Sequence, residues 1–194
     1  MKKAEQEAAE RSQHAVNGLA LTDRDVFVTC PMSTGFGFAV WRLNHDFGEP
    51  KRIVEQLRGC CSQMDIQAHN GDLYVAENGR HRVTRYDRDG KQLAQFGKRD
   101  RNAAEGFGGC CEPKNLRFDD RGDLYACESG PPVIVRRFTP DGKFLNVVGF
   151  PTFTTGCVRV AVGVSPDGNR VYVQNVEQNK LHVLQRKVPA AASR

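Results

Sequence analysis

The cysteines are the residues of this sequence whose spacing points most directly to chemistry. The chain has seven of them, and four form two adjacent pairs, Cys60-Cys61 and Cys110-Cys111, each preceded by a glycine. The pairs begin two similar segments, LRGCCSQMDIQAHNGDLYVAEN and FGGCCEPKNLRFDDRGDLYACES. Thiolates are nucleophiles and soft metal ligands, and thiols pair as disulfides in oxidising compartments. The sequence therefore indicates a thiol cluster that is tied to a repeated unit.

A repeat of about fifty residues organises the chain. GDLYVAEN at Gly71 aligns with GDLYACES at Gly122, and weaker copies surround Phe27 and Tyr172. Each copy contains short runs of alternating apolar and polar residues separated by turn residues, which is a strand pattern. In the second copy, strands are predicted over 65–69, 73–77, 82–87 and 92–96, with an Asp-Gly turn at 89–90 between the last two.

Four antiparallel strands per unit of this length are typical of a β-propeller blade. We therefore predict an all-β propeller whose domain spans 13–188, with blades at about 13–57, 58–107, 108–155 and 156–188. The fourth blade is expected to end after its third strand. Residues 1–12 are predicted to form a short helical arm, and 189–194 a tail.

The segment VAENGRHRVTRYDRDGKQLAQFG resembles the NHL repeat. The resemblance rests on nine matching positions: Asn78, His81, Arg82, Val83, Tyr86, Asp87, Gly90, Phe96 and Gly97. It is weaker in the third blade and only topological in the first and fourth. The resemblance implies a propeller that usually has six blades, a structural role for His81 and a function in binding. Four recognisable blades leave three possibilities: a truncated chain, a closed four-bladed ring, or an arc completed by another copy. We expect truncation.

Blade topology places the cysteines on one face, at the mouth of the central channel. Here the loops before the first strand of each blade meet the loops between second and third strands; we call this the mouth face. The candidate set for metal or disulfide formation is His14, Cys60, Cys61, Cys110, Cys111 and Cys157. Three interpretations stay open: small buried thiols that fill tight contacts, disulfides, or a zinc or copper site. No CxxC…CxxC spacing is present, so no cofactor is certain, and no catalytic residue is assigned.

Two further groups of polar residues are candidates for binding. Asp65, Gln67, Asn115 and Arg117 fall on the innermost strands, where a polar stripe suits either a small ligand or a channel filled with water alone. Arg80, Lys98, Arg99 and Arg101 form a basic rim on the mouth face. Because Asp100 and Glu105 dilute this charge and few aromatic residues accompany it, a solvated loop is favoured over an RNA site.

Composition narrows the classes of function. The 194 residues are 39% hydrophobic and 26% charged, with a formal charge of +5, as expected of a globular protein without a strong electrostatic case for nucleic acid. The sequence contains no apolar run that is long enough to suggest a membrane segment. Localisation is open: cytoplasmic if Met1 is the true start, and extracytoplasmic if a signal peptide has been lost with truncation.

These observations favour a binding or protein-interaction scaffold, with a protein or small-molecule ligand on the mouth face. The first alternative is a metal-dependent enzyme or metal-binding protein that uses the thiolates. The second is RNA binding by the basic rim. Self-association through open propeller edges is also expected if the ring is incomplete.

Overall fold

Four antiparallel sheets make up this computed structural model, which describes residues 16–32, 36–60, 63–152, 159–176 and 178–186. Within these residues there are fifteen strands and a single turn of 3-10 helix, Asn78–Arg80. None of their helical segments is long and apolar enough to cross a membrane. The helical arm and the tail predicted at the two ends of the chain lie outside the described residues.

The strands of each sheet follow chain order from the channel outward. Blade 1 contains β1 (Gly18–Leu21), β2 (Val26–Pro31), β3 (Phe38–Leu43) and β4 (Lys51–Leu57). Blade 2 contains β5 (Ile66–His69), β6 (Asp72–Glu77), β7 (Arg82–Tyr86) and β8 (Gln92–Phe96). Blade 3 contains β9 (Asn115–Phe118), β10 (Leu124–Cys127), β11 (Val135–Phe138) and β12 (Phe144–Gly149). Blade 4 contains β13 (Val160–Val164), β14 (Arg170–Asn175) and β15 (Lys180–Gln185).

This arrangement confirms the predicted four-bladed β-propeller architecture. The strands of blade 2 agree with the sequence-based assignment to within one residue at each end. Three strands belong to blade 4 in the described part of the chain, as the sequence pattern indicates. The NHL type of the propeller remains an interpretation.

The core consists of the interfaces between successive blades. Each interface joins an aromatic residue of one blade's second strand to an aliphatic residue of the next blade's first strand. The three pairs, which lie in three separate buried clusters, are Phe27 with Ile66, Tyr74 with Leu116, and Tyr125 with Val162. Each such side chain contributes about 1.5–3 kcal/mol when fully buried. Because successive side chains of a strand point to opposite faces of the sheet, each blade can present apolar residues to both of its neighbours.

At the boundary between blades 1 and 2, a turn on the face opposite the mouth face contacts the preceding blade. Gly90 has φ +89°, and a Cβ there would lie 2.0 Å from the Ile53 carbonyl oxygen, so the turn needs glycine for both conformation and contact. Beside it, the Arg88 guanidinium donates to both oxygens of the buried Asp25 carboxylate, at 2.5 and 2.8 Å. The turn of blade 2 is therefore clamped onto blade 1.

The blades form an open arc in the described part of the chain. Strand contacts join blade 1 to 2, 2 to 3 and 3 to 4. At the start of the arc, Leu19 and Leu21 are 53% and 62% exposed, and at its end Leu181 and Val183 are 63% and 53% exposed. We call the outward sheet surfaces that carry these residues the blade 1 end face and the blade 4 end face. Neither is covered by another described blade.

Candidate functional site

The described cysteines occupy two kinds of position. Cys60 lies in the loop between β4 and β5, and Cys110 and Cys111 lie in the loop between β8 and β9. Cys30 and Cys127 are buried in second strands, and burial raises the pKa of both thiols. Among these five, no two are joined by a disulfide. His14, Cys61 and Cys157 lie outside the described residues, so the metal and disulfide hypotheses stay predictions.

The loop that carries Cys60 is held by Asn78. The Asn78 side-chain oxygen accepts the Cys60 backbone N–H at 2.8 Å, and its amide donates to the Gln63 carbonyl at 2.6 Å. Next to it, the buried Glu77 carboxylate accepts the Arg58 backbone N–H at 3.1 Å and the Arg82 Nε–H at 2.6 Å. These residues of the NHL-like motif thus fix the loop and need no ligand to explain them.

In blade 3, Glu128 keeps the role of Glu77, since its carboxylate accepts the Gly108 and Gly109 backbone N–H groups at 2.9 and 3.2 Å. Glu112 takes the place of Asn78 as the acceptor. Its Oε1 accepts three hydrogen bonds, from the Ser129 backbone N–H at 3.0 Å, the Ser129 hydroxyl at 2.9 Å and the Gly130 N–H at 3.0 Å. Burial raises the pKa of Glu112 above its usual range, against the lowering effect of these donors and of Lys114. Its Oε2 is buried without a hydrogen-bond partner in the described part of the chain.

Lys114 lies within the same loop and contacts a cysteine. The Lys114 Nζ donates to the Cys111 Sγ at 3.0 Å, and both side chains are buried. An ammonium group beside sulfur repels a metal cation that approaches the same atom. In the described residues, no three His, Cys, Asp or Glu side chains converge in a manner that could hold a metal ion. The lysine contact at Cys111 therefore argues against a metal ligand at this sulfur.

The four polar residues predicted on the channel wall are brought together in two pairs. Asp65 Oδ2 accepts the Asn115 side-chain N–H at 2.9 Å, and Gln67 Oε1 accepts from Arg117 at 3.1 Å. Burial raises the pKa of Asp65 to about 6. Whether these residues also bind a ligand stays a prediction.

Asp65 and Asn115 also bond to the backbone of the next blade along the chain. Asp65 Oδ2 accepts the Leu116 N–H at 2.7 Å, and Asn115 Oδ1 accepts the Val162 N–H at 2.7 Å. The Gln63 side chain reaches further, to the Val160 carbonyl of blade 4 at 3.0 Å. Polar side chains of the innermost strands therefore link the blades around the channel.

Most of the basic rim is engaged by neighbouring acceptors. Lys98 lies 3.5 Å from Asp100 and 3.6 Å from Glu105. Arg101 donates to the Gly108 carbonyl at 2.7 Å, and Arg80 lies 3.2 Å from the Glu77 carboxylate. Carboxylates thus neighbour Lys98 and Arg80, whereas Arg99 and Arg101 form no ion pair with any described residue.

A cleft of about 570 Å³ opens between blades 1 and 2, beside the loop that carries Cys60. Its lining residues are Met32, Phe36, Gly37, Gln56, Arg58, Gly59 and Arg80. The Phe36 side chain is fully exposed, and the exposed Arg58 guanidinium forms no ion pair with any described residue. Neither Arg58 nor Phe36 was predicted from the sequence to belong to a site. Arg58 stands two residues before the Cys pair, which was its only signal.

A second cleft, of about 540 Å³, lies between blades 3 and 4. Strands β12, β14 and β15 supply much of its lining, which includes Leu145, Asn146, Asn169 and Arg186. The Arg137 guanidinium in this lining lies 3.7 Å from the Asp123 carboxylate. Arg186, the second arginine of the lining, is exposed and forms no ion pair with any described residue, so this cleft is a competing site for an anionic ligand.

Comparison with known proteins supports the fold but not a family or a function. No family model and no curated protein sequence matches the chain. Among solved structures, a chain of a nidogen/laminin complex is 16% identical with a TM-score of 0.59, over 88% of this chain and 65% of that one. A gluconolactonase from Xanthomonas campestris is 20% identical with a TM-score of 0.58, over 88% and 56%.

A protein of unknown function from Bacteroides thetaiotaomicron is 9% identical with a TM-score of 0.66, over 88% of this chain and 47% of that one. The chain thus spans about half to two thirds of the length of these three structures. At such low identities the likeness shows the fold alone. The chain is a β-propeller arrangement of four blades, and its family is not identified by these comparisons.

Proposed function

We propose that this propeller is a binding scaffold and that its mouth face binds ligands or protein segments that carry a carboxylate or another anionic group. The observation that carries the proposal is the cleft between blades 1 and 2. Its volume of about 570 Å³ falls in the range of small-molecule sites. It presents two guanidinium groups, Arg58 and Arg80, beside the apolar side chains of Met32 and Phe36.

The chemistry of the lining suggests how a ligand would bind. A guanidinium offers planar donors that match a carboxylate in a two-point contact. Arg58 has no competing carboxylate, whereas Arg80 is already shared with Glu77 at 3.2 Å. We therefore assign the main anion contact to Arg58, and to Phe36 a stacking or apolar contact with the remainder of the ligand.

The two alternatives have weaker support. The candidates for metal binding on the mouth face are His14, Cys60, Cys61, Cys110, Cys111 and Cys157. Of these, Cys111 is disfavoured as a ligand by the Lys114 ammonium at 3.0 Å. RNA binding by the basic rim is disfavoured by the carboxylates that neighbour Lys98 and Arg80.

The proposal is tested with a panel of small aromatic and aliphatic carboxylates, together with the corresponding uncharged amides, by ligand-observed NMR. We expect carboxylates to bind and their amides not to bind, because only the former match the Arg58 guanidinium. Arg58→Met should weaken binding about tenfold, which is the typical worth of a charged hydrogen bond. Arg121→Met, which removes an exposed arginine from blade 3, is the matched control. Equal affinities for acid and amide, or equal losses in the two variants, would refute the proposal.

A further inference from the structure

The blade 1 end face has the same construction as the surfaces that are buried inside the arc. Leu19 neighbours Ala20, which pairs with Phe27, just as Ile66 neighbours Gln67, which pairs with Tyr74. Leu19 therefore occupies the position of Ile66, a residue that is fully buried against the preceding blade. In blade 1 this position and its neighbour Leu21 are more than half exposed.

The blade 4 end face has the complementary construction. Tyr172 pairs with Gly163 and holds the position that Phe27, Tyr74 and Tyr125 hold in the first three blades. Those three are buried against the following blade. The Tyr74 hydroxyl donates to the Pro140 carbonyl of that blade at 3.0 Å, and the Tyr125 hydroxyl lies 3.2 Å from Asp119 Oδ2 of its own blade and 3.4 Å from the Gly168 carbonyl of the next.

Tyr172 holds the position of an interface residue, but no following blade is present among the described residues. Its side chain is only half-buried, and its hydroxyl forms no hydrogen bond to any residue that the structure describes. Leu181 and Val183 flank it on the same sheet surface, since Val183 pairs directly with Tyr172. This surface therefore has the residues that pack against the first strand of a following blade elsewhere in the arc.

Charges at the two end faces are complementary. Inside the arc, Asp25 of blade 1 binds Arg88 in the turn of blade 2. By strand register, Arg170 holds the Asp25 position in blade 4, while in blade 1 His45 holds the Arg88 position and Asp46, the next residue, holds the position of Asp89. Asp89 pairs with Arg42 of the preceding blade, so Asp46 of blade 1 is in the corresponding turn position to attract Arg170 of blade 4.

We propose that two copies of the chain associate head to tail, with the blade 4 end face of each on the blade 1 end face of the other. Only another blade of this repeat supplies both an aliphatic residue for Tyr172 and an aromatic residue for Leu19. A second copy does so twice, and the two identical contacts close a ring of eight blades about a two-fold axis. This assembly covers both exposed apolar surfaces. It does not depend on the proposed function of the mouth face.

Light scattering coupled to size-exclusion chromatography tests the proposal with two complementary variants. The first, Leu19→Asp with Leu21→Asp, disables the blade 1 end face; the second, Leu181→Asp with Val183→Asp, disables the blade 4 end face. Leu93→Asp, at an exposed leucine of blade 2, is the control. We expect about twice the 21.6 kDa chain mass for the wild type and the control, and the chain mass for each double variant alone.

Mixing the two double variants is the decisive step. Each retains the face that the other has lost, so a head-to-tail contact predicts that the mixture forms a one-to-one pair. A symmetric contact between like faces predicts no such recovery. Exchanging the charges gives a second readout that does not threaten folding. Arg170→Glu should weaken association about fivefold, and adding Asp46→Arg should restore it.

A wild type that stays monomeric at about 100 µM, or an assembly that neither double variant disrupts, would overturn the proposal.

Discussion

The Asp65 carboxylate of blade 2 accepts the side-chain amide of Asn115 from blade 3 at 2.9 Å. The same Asp65 oxygen accepts the Leu116 N–H, and Asn115 in turn accepts the Val162 N–H of blade 4. Two side chains thus connect three blades through directional bonds in a buried position beside the channel. The link sets the spacing of the innermost strands and so the geometry of the mouth face above them.

Asp65→Asn is expected to change how stability depends on pH. Burial raises the pKa of Asp65 from 3.8 to about 6 in the folded protein. The folded state therefore holds this proton more tightly than the unfolded chain does. The resulting stabilisation is complete below pH 4 and is lost as the pH rises through about 6, by at most about 3 kcal/mol.

Urea unfolding of the wild type and Asp65→Asn between pH 4 and 7.5 measures this effect. The difference between the two free energies of unfolding should shift in favour of the variant as the pH rises, since asparagine carries no proton. Other buried acids, such as Glu112, are present in both proteins and cancel. A difference that stays constant over this range would show that Asp65 does not titrate as described.

Asn115→Ala is expected to destabilise the propeller by about 2–3 kcal/mol. The change leaves the buried Val162 N–H without its acceptor and removes a donor from Asp65, and each buried unsatisfied group costs about 1–3 kcal/mol. Asn146→Ala is the matched control, because among the described residues the exposed Asn146 side chain bonds only to the adjacent Val147 carbonyl. Chemical denaturation should show a loss below about 0.5 kcal/mol for the control. Similar losses in both variants would contradict a linking role for Asn115.

The turn glycines offer a comparison in which backbone strain is nearly constant. Gly71 and Gly90 have φ values of +84° and +89°. A Cβ at Gly71 meets nothing within 4 Å, whereas one at Gly90 would lie 2.0 Å from the Ile53 carbonyl oxygen of blade 1. Gly71→Ala should therefore cost about 1 kcal/mol from strain alone.

Gly90→Ala should cost about 2 kcal/mol more than that, because the clash forces the turn away from the neighbouring blade. Thermal and urea unfolding of the two variants give the comparison directly. If both lose the same stability, the close approach between the blade 2 turn and Ile53 is absent from the protein in solution.

The blade architecture was predictable because its signals are local. The alternating pattern in 73–77 and the Asp-Gly turn at 89–90 specify strands and hairpins within a few residues of one another. Repetition then fixes the fold, since each copy must bury its faces against the next. The NHL resemblance was less transferable: it rests largely on one blade, and where blade 2 has Asn78, blade 3 has Ser129 with Glu112 supplying the acceptor.

The sites were less predictable because their members come from different blades. Sequence placed Asp65 and Asn115 on the channel wall but gave no reason to pair them, since the pairing depends on stagger between blades. Lys114 and Glu112 belong to a loop whose conformation buries two charged residues, against the usual preference of both. Arg58 and Phe36 meet at a cleft that neither residue's own segment indicates.

The most direct test of the binding-scaffold account is to locate a bound carboxylate by the backbone amide shifts of isotope-labelled protein. The tightest carboxylate of the NMR panel would be added to saturation. We predict that the largest shifts fall on Arg58, Gly59 and Arg80, around the cleft between blades 1 and 2. Shifts centred on Leu145, Asn146 and Asn169 in the other cleft, or no shifts at any carboxylate concentration, would contradict it.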